Sequence, residues 1–188
     1  MRKFLLLTGA GLMFALPLCA GDLEGGNPLP AVWKEQRLNF VYMGVTSRYS
    51  CAGLRGKMRS LILELGAGRD LKISALGCNV QPSAGAARIA PTLTMVFSAP
   101  ALPDSAAKPL HAGDLAAISA RYQPFAVAPD AFRTFDIGDC ELVEEFVQQI
   151  LPKFATRDVN KSITCVPNQL SGLPFVVRGE VLKVMANP

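Results

Sequence analysis

The hydrophobic positions change their spacing several times along the chain. After the charged start Met1-Arg2-Lys3, residues 4–18 carry no charge, and the small residues Ala20 and Gly21 follow soon after. A basic start, an apolar stretch and a small-residue site form the pattern of a cleavable secretory leader. The run is short for a bilayer span, which takes about 20 apolar residues. Polar Gly/Pro sequence follows it rather than a basic cluster. Cleavage is expected after Ala20, which makes 1–20 a signal peptide. The rival reading is a lipid anchor on Cys19, but Leu16-Pro17-Leu18 puts a bulky Leu where a small residue is expected.

Beyond the leader, residues 21–36 read as a polar, extended N-terminal arm containing Trp33. Residues 38–47 are apolar and β-branched and predict a strand. From Cys51 the spacing becomes helical, with Leu54, Met58, Leu61, Ile62 and Leu65 on one stripe, Ser50 as N-cap and Gly66 as stop. Residues 71–78 and 92–99 predict two strands around a Pro/Ala/Gly loop at 80–91, and residues 100–114 form a Pro/Ala-rich connector. Residues 116–127 predict an edge strand, because Pro124 would interrupt a central ladder. A strand at 132–137 comes next. Asp139 is then the expected cap of a helix opening at Cys140, whose buried stripe is Val143, Phe146, Val147, Ile150 and Phe154 and which Pro152 kinks or ends. Residues 159–166 and 175–184 close the chain as a hairpin.

The two halves share one plan: strand, Cys opening a helix, Arg-Asp, a strand ending in Cys, then another strand. Cys51 matches Cys140, Arg69-Asp70 matches Arg157-Asp158, and Cys78 matches Cys165. This predicts an α+β fold of two related strand–helix–strand–strand units in ferredoxin-like style, at 37–99 and 115–188, forming one compact mature domain. The helices would pack on an antiparallel or mixed sheet.

Composition narrows the function classes. The formal charge of +4 includes Arg2 and Lys3; without them 17 basic residues face 15 acidic ones, a net +2. That near-balance argues against nucleic acid as a partner. The mean hydropathy of +0.27 is raised by the leader, and no later apolar run is long enough for a membrane span. Four cysteines are left after cleavage: Cys51, Cys78, Cys140 and Cys165. An even count in an oxidising compartment predicts disulfides. A unit that folds by itself should close its own bridge, which favours Cys51–Cys78 and Cys140–Cys165 among the three possible connectivities.

Candidate chemistry is sparse. The chain has one histidine, His111, in the connector, which argues against Ser-His-Asp or Cys-His mechanisms and a histidine-rich zinc site. Gly66-Ala67-Gly68 reads as a helix-ending turn, not a phosphate cradle. Asp136, Asp139 and Glu141 cluster, and Asp70 and Asp158 are matched by the repeat, but each has a structural reading as cap, dipole partner or strand opener. Strand, Cys at a helix start and amphipathic helix together resemble the ferredoxin-like heavy-metal-associated domains, which bind copper through C-x-x-C. Here Leu54 and Val143 stand where the second cysteine would be, and Met43, Met58, Met95 and Met185 are dispersed. Arg55, Lys57 and Arg59 on the first helix and Glu141, Glu144 and Glu145 on the second are expected to be exposed, either as complementary faces lying side by side or as two independently solvated ones.

The expectation is a periplasmic or secreted non-enzymatic binding or scaffolding domain, with no cofactor, no metal and no catalytic residue, acting on a protein or envelope component through a sheet edge or the groove between units. The alternative is a metal- or thiol-handling protein using Cys51 or Cys140, and the third reading is a carboxylate-based enzyme.

Overall fold

A computed structural model describes residues 27–78, 90–103, 117–129, 135–168 and 175–185. The elements are β1 (Leu29–Val41), α1 (Cys51–Glu64), β2 (Lys72–Leu76), β3 (Thr92–Ala101), β4 (Ile118–Val127), α2 (Cys140–Gln149), β5 (Thr156–Ser162) and β6 (Val176–Val184). Short 3-10 turns cover Ile137–Asp139 and Leu151–Lys153. The leader, its cleavage site, Cys19, His111 and most of the connector lie outside the described residues.

The class is α+β, with a six-stranded antiparallel sheet, two helices and two disulfides. The strand order is β2-β3-β1-β4-β6-β5, so each half contributes three strands in the same internal order, joined back to back through β1 and β4. That join is narrow: only Leu29–Ala31 of β1 meets Ile118–Ala120 of β4. Past Ala31, β1 pairs with β3 alone through Val32–Val41 among the described residues, while β4 pairs with β6 from Ala120 to Val127.

Local sequence explains both helices. Ser50 caps α1, its hydroxyl accepting from the Gly53 N–H at 3.0 Å, and Gly66 ends it at φ +89°, a left-handed conformation that suits glycine. The predicted stripe of Leu54, Met58, Leu61, Ile62 and Leu65 is buried. α2 buries Val143, Phe146 and Val147, with Ile150 and Phe154 just beyond it, and the 3-10 turn holding Pro152 follows its end. Both stripes, with Phe40, Leu93, Met95, Phe97 and Val181 from the sheet, form one core. Phe97 of the first half stacks on Phe154 of the second with ring centroids 5.3 Å apart, so the halves share an interior.

Several expectations are corrected. β1 begins at Leu29, inside the stretch read as an arm, and ends at Val41 instead of running to 47; Trp33 is a strand residue opposite Pro100. β4 is not an edge strand at its start, where Ile118–Ala120 lies between β1 and β6, but beyond Ala120 it pairs with β6 alone among the described residues. Pro124 is tolerated there because the Ser119 carbonyl accepts from Met185 N–H, so odd-numbered β4 residues bond β6 and even-numbered ones point away. The Pro124 nitrogen thus points to the side on which β4 has already parted from β1. Of the strand expected at 132–137, residues 135 and 136 are irregular and Ile137 opens a 3-10 turn; the others lie outside the described residues. β5 starts at Thr156, so Arg157-Asp158 sits within it, Asp158 having φ +53° at a register shift.

Candidate functional site

Both disulfides form as the repeat predicted, Cys51–Cys78 and Cys140–Cys165, with Cα atoms 5.1 and 5.7 Å apart. Each ties the first residue of a helix to a residue beyond the following strand. The polar residues singled out by sequence gather at the start of α2, against the loop between β1 and α1.

The local order begins with a capping box. Asp136 Oδ1 accepts from Gly138 N–H at 2.8 Å, while Asp139 Oδ2 accepts from the Asp136 N–H at 2.8 Å. This corrects the expected cap: Asp139 precedes α2, but its side chain makes no capping bond to that helix. Its carboxylate also accepts from the Tyr49 hydroxyl at 2.6 Å and from Lys57 Nζ at 2.6 Å. The Asp139 side chain is 2% exposed and Lys57 18%, so this is a largely desolvated ion pair, with the ammonium 5.2 Å from the Phe135 ring centroid. Lys57 therefore faces inward rather than lying on an exposed basic face.

Glu141 is corrected in the same way. It was expected on the solvent side of α2 but is 8% exposed, and one carboxylate oxygen accepts from Val45 N–H at 2.9 Å, Thr46 N–H at 2.8 Å and the Tyr42 hydroxyl at 3.4 Å. A loop that turns two backbone N–H groups inward needs an acceptor there, and Glu141 supplies a charged one. Ser47 Oγ donates to the Gly138 carbonyl at 2.6 Å, and Tyr42 packs edge-on against Tyr49. Residues 42–50 thus form a strap stitched by side chains to the start of α2. Burial, followed by the neighbouring Glu141 and Asp139 carboxylates, pushes the Tyr42 and Tyr49 hydroxyls well above the usual tyrosine range.

Over this latch lies a shallow depression bordered by Thr46, Ile137, Cys140, Glu141, Cys165 and Val166. Two of these, Ile137 and Val166, are exposed apolar side chains, and on the strap beside Thr46 the apolar Val45 and Met43, the latter at 64% exposure, are exposed as well. The Cys165 segment closes the rim, with Asn168 N–H donating to Thr46 Oγ1 at 3.0 Å.

The other candidates are not brought together. Asp70 precedes β2 and accepts from Ser98 Oγ at 3.0 Å, whereas Asp158 is exposed in β5 at the opposite edge of the sheet. Met58 and Met95 are core, and Met43 is exposed. Among the described residues no three His, Cys, Asp or Glu side chains converge as metal ligands, and every buried side-chain nitrogen or oxygen has a partner. Sequence reasoning passed over Tyr42, Tyr49 and the two strap amides. Their role depends on contacts across about 90 to 100 positions, for which no local spacing is a signal.

Compared with protein families, curated proteins and solved structures, the chain gives no match.

Proposed function

We propose that this chain is an exported, non-enzymatic binding or scaffolding domain built from two related units. The observation that carries the reading is how its reactive groups are employed. Both cysteine pairs close as disulfides, Glu141 accepts from the strap amides and Asp139 from Tyr49 and Lys57, while Val45, Ile137, Val166 and Met43 are exposed. Cysteines and carboxylates committed to holding the fold together leave exposed apolar side chains as the groups suited to contact with another molecule.

Export is supported by the leader pattern and by the two disulfides, which persist in oxidising compartments. Duplication is supported by an offset shared by the strand and the helix that open each half. Cys51 and Cys140 are 89 residues apart, as are Pro30 and Ser119, which pair at the join.

The test uses the full chain expressed in an exporting host and purified without reductant. Thiol titration should find no free cysteine, and peptide mapping should return the two intra-unit bridges. A photo-crosslinking residue at Met43 or Val166 should give a discrete adduct in the export compartment, and one at the exposed Glu144 on α2 should not. A titratable thiol at Cys51 or Cys140, or equal labelling from all three positions, would overturn the reading.

A further inference from the structure

β1 carries a row of backbone groups that no described strand pairs. The Tyr42 N–H donates to the Pro91 carbonyl at 2.9 Å, continuing the register in which Val41 faces Thr92. The N–H and C=O of a strand residue point to one side and alternate along the chain. Even-numbered β1 residues therefore bond β3, and odd-numbered ones point away. At one end β4 meets Leu29 and Ala31. At the other, the Gln149 amide serves Val41 like a neighbouring strand, Oε1 accepting from its N–H at 3.0 Å and Nε2 donating to its carbonyl at 2.9 Å. Between these stops the N–H and C=O groups of Trp33, Glu35, Arg37 and Asn39 face no described strand.

The other free edges are blunted in recognised ways. β5 carries a register shift and charged residues, β2 is five residues long, and the open side of β4 holds Pro124, which offers no donor. The 89-residue offset places Glu35 at the position matching Pro124. Among the described residues, one half is capped against strand addition where the other is open.

We propose that the β1 edge from Trp33 to Asn39 captures an extended segment of a partner protein as an added strand. The inference rests on the binding reading above and names the surface and ligand class. The stops at Ala31 and Val41 set the length at about seven residues, roughly 24 Å of strand. A second copy's β1 does not fit, because the register setting its Glu35 against Arg37 would drive its Val41 onto Ile118, already paired with Ala31. The edge also sets side-chain chemistry. Glu35 and Arg37 pair with each other on the solvent face at 2.6 Å, which favours opposite charges two residues apart on the incoming strand. Leu38 packs against the core from the other face and favours an apolar neighbour. The ligand is a short amphipathic strand, apolar at alternate positions, with one acid and one base between them.

The probe is an acetylated, amidated heptapeptide Thr-Val-Glu-Val-Lys-Val-Thr, which in antiparallel register sets its Glu against Arg37 and its Lys against Glu35. Trp33 is the chain's single tryptophan and lies at one end of the edge, so its emission reads occupancy directly. Saturable binding to the full mature chain is expected, with Glu35→Pro weakening it at least tenfold. Exchanging Glu and Lys in the peptide should cost about two- to fivefold, and Glu35→Lys with Arg37→Glu should reverse that preference. The charge-swapped pair keeps the test decisive should Glu35→Pro fail to fold. No saturable response, undiminished binding by Glu35→Pro, or an unreversed preference would overturn the inference. So would amides of Trp33, Glu35, Arg37 and Asn39 that exchange as slowly as those of Gln36 and Leu38 in the free chain, because the edge would then already be filled. A discrete adduct from Val166 alongside peptide failure would leave the binding reading intact and reject this edge alone.

Discussion

Glu141→Leu isolates what the buried carboxylate does. In the native fold one Glu141 oxygen accepts two backbone N–H bonds, from Val45 and Thr46, and a longer bond from Tyr42. Hydrogen bonds to a charged acceptor are worth about 1.5–3 kcal/mol each. Both amides are only part-buried, so water replaces some of the loss and the low end of that range applies. The Tyr42 hydroxyl adds little, since it also donates to the Ser47 carbonyl at 3.2 Å. Two amide bonds at the low end give about 3 kcal/mol of destabilisation. Glu141→Gln keeps an oxygen in place and loses only the charge, which should cost about 1 kcal/mol. For a domain of this size each kcal/mol lowers the melting temperature by about 2–4 °C. Glu141→Leu should therefore melt about 6–12 °C lower than the parent, with Glu141→Gln between them, in urea and thermal unfolding with both disulfides intact. Val45 and Thr46 amide exchange should quicken in the Leu variant more than exchange in α1. A loss below about 0.5 kcal/mol for Glu141→Leu, or equal losses for Leu and Gln, would refute the strap as a charge-anchored latch.

Other outcomes follow from the same structure. Replacing Cys140 and Cys165 by Ser opens a loop of 25 residues, for which chain entropy gives about 3.5 kcal/mol, read as a lower urea midpoint; an unchanged midpoint would show that the bridge does not constrain the unfolded chain. The raised Tyr42 and Tyr49 hydroxyls keep their protons in the folded state, so their contribution is complete below about pH 10, the unfolded tyrosine value, and is lost as pH rises beyond it. Absorbance at 295 nm should show those two of the three tyrosines ionising only as the fold melts, and Tyr49→Phe should flatten the alkaline loss of stability. Gly179→Ala should destabilise by about 1–3 kcal/mol in thermal melts, because its Cβ would lie 3.1 Å from the ring of Phe125, its cross-strand partner, and 3.1 Å from the backbone Cα of Val159. Lys57→Met leaves Asp139 buried beside Tyr49 without its cation and should cost about 3 kcal/mol; the double variant with Asp139→Asn should lose less than the sum of the two single losses, and additive losses would refute charge as the cause.

Short-range chemistry determined much of this protein. Both helices, their buried stripes, the Ser50 cap, the Gly66 stop and both disulfide pairs were legible because each depends on residues within a few turns or on cysteines 27 and 25 positions apart. Side-chain alternation likewise located most strands to within a few positions. What tertiary structure alone decided is how the halves meet. β1 extends back to Leu29 because β4 is there to receive its first residues, and Pro124 is tolerated in β4 because the described pairing with β1 ends at Ala120, before Pro124 is reached. Those facts concern neighbours across more than eighty positions, and no local pattern encodes them. The carboxylates make the same point: in sequence Asp139, Glu141 and Glu144 look alike, three acids at one helix start. Only folding sets Glu144 in water and brings Lys57, Tyr49 and the strap amides to the other two, because burying a charge becomes tolerable when distant donors arrive together to meet it.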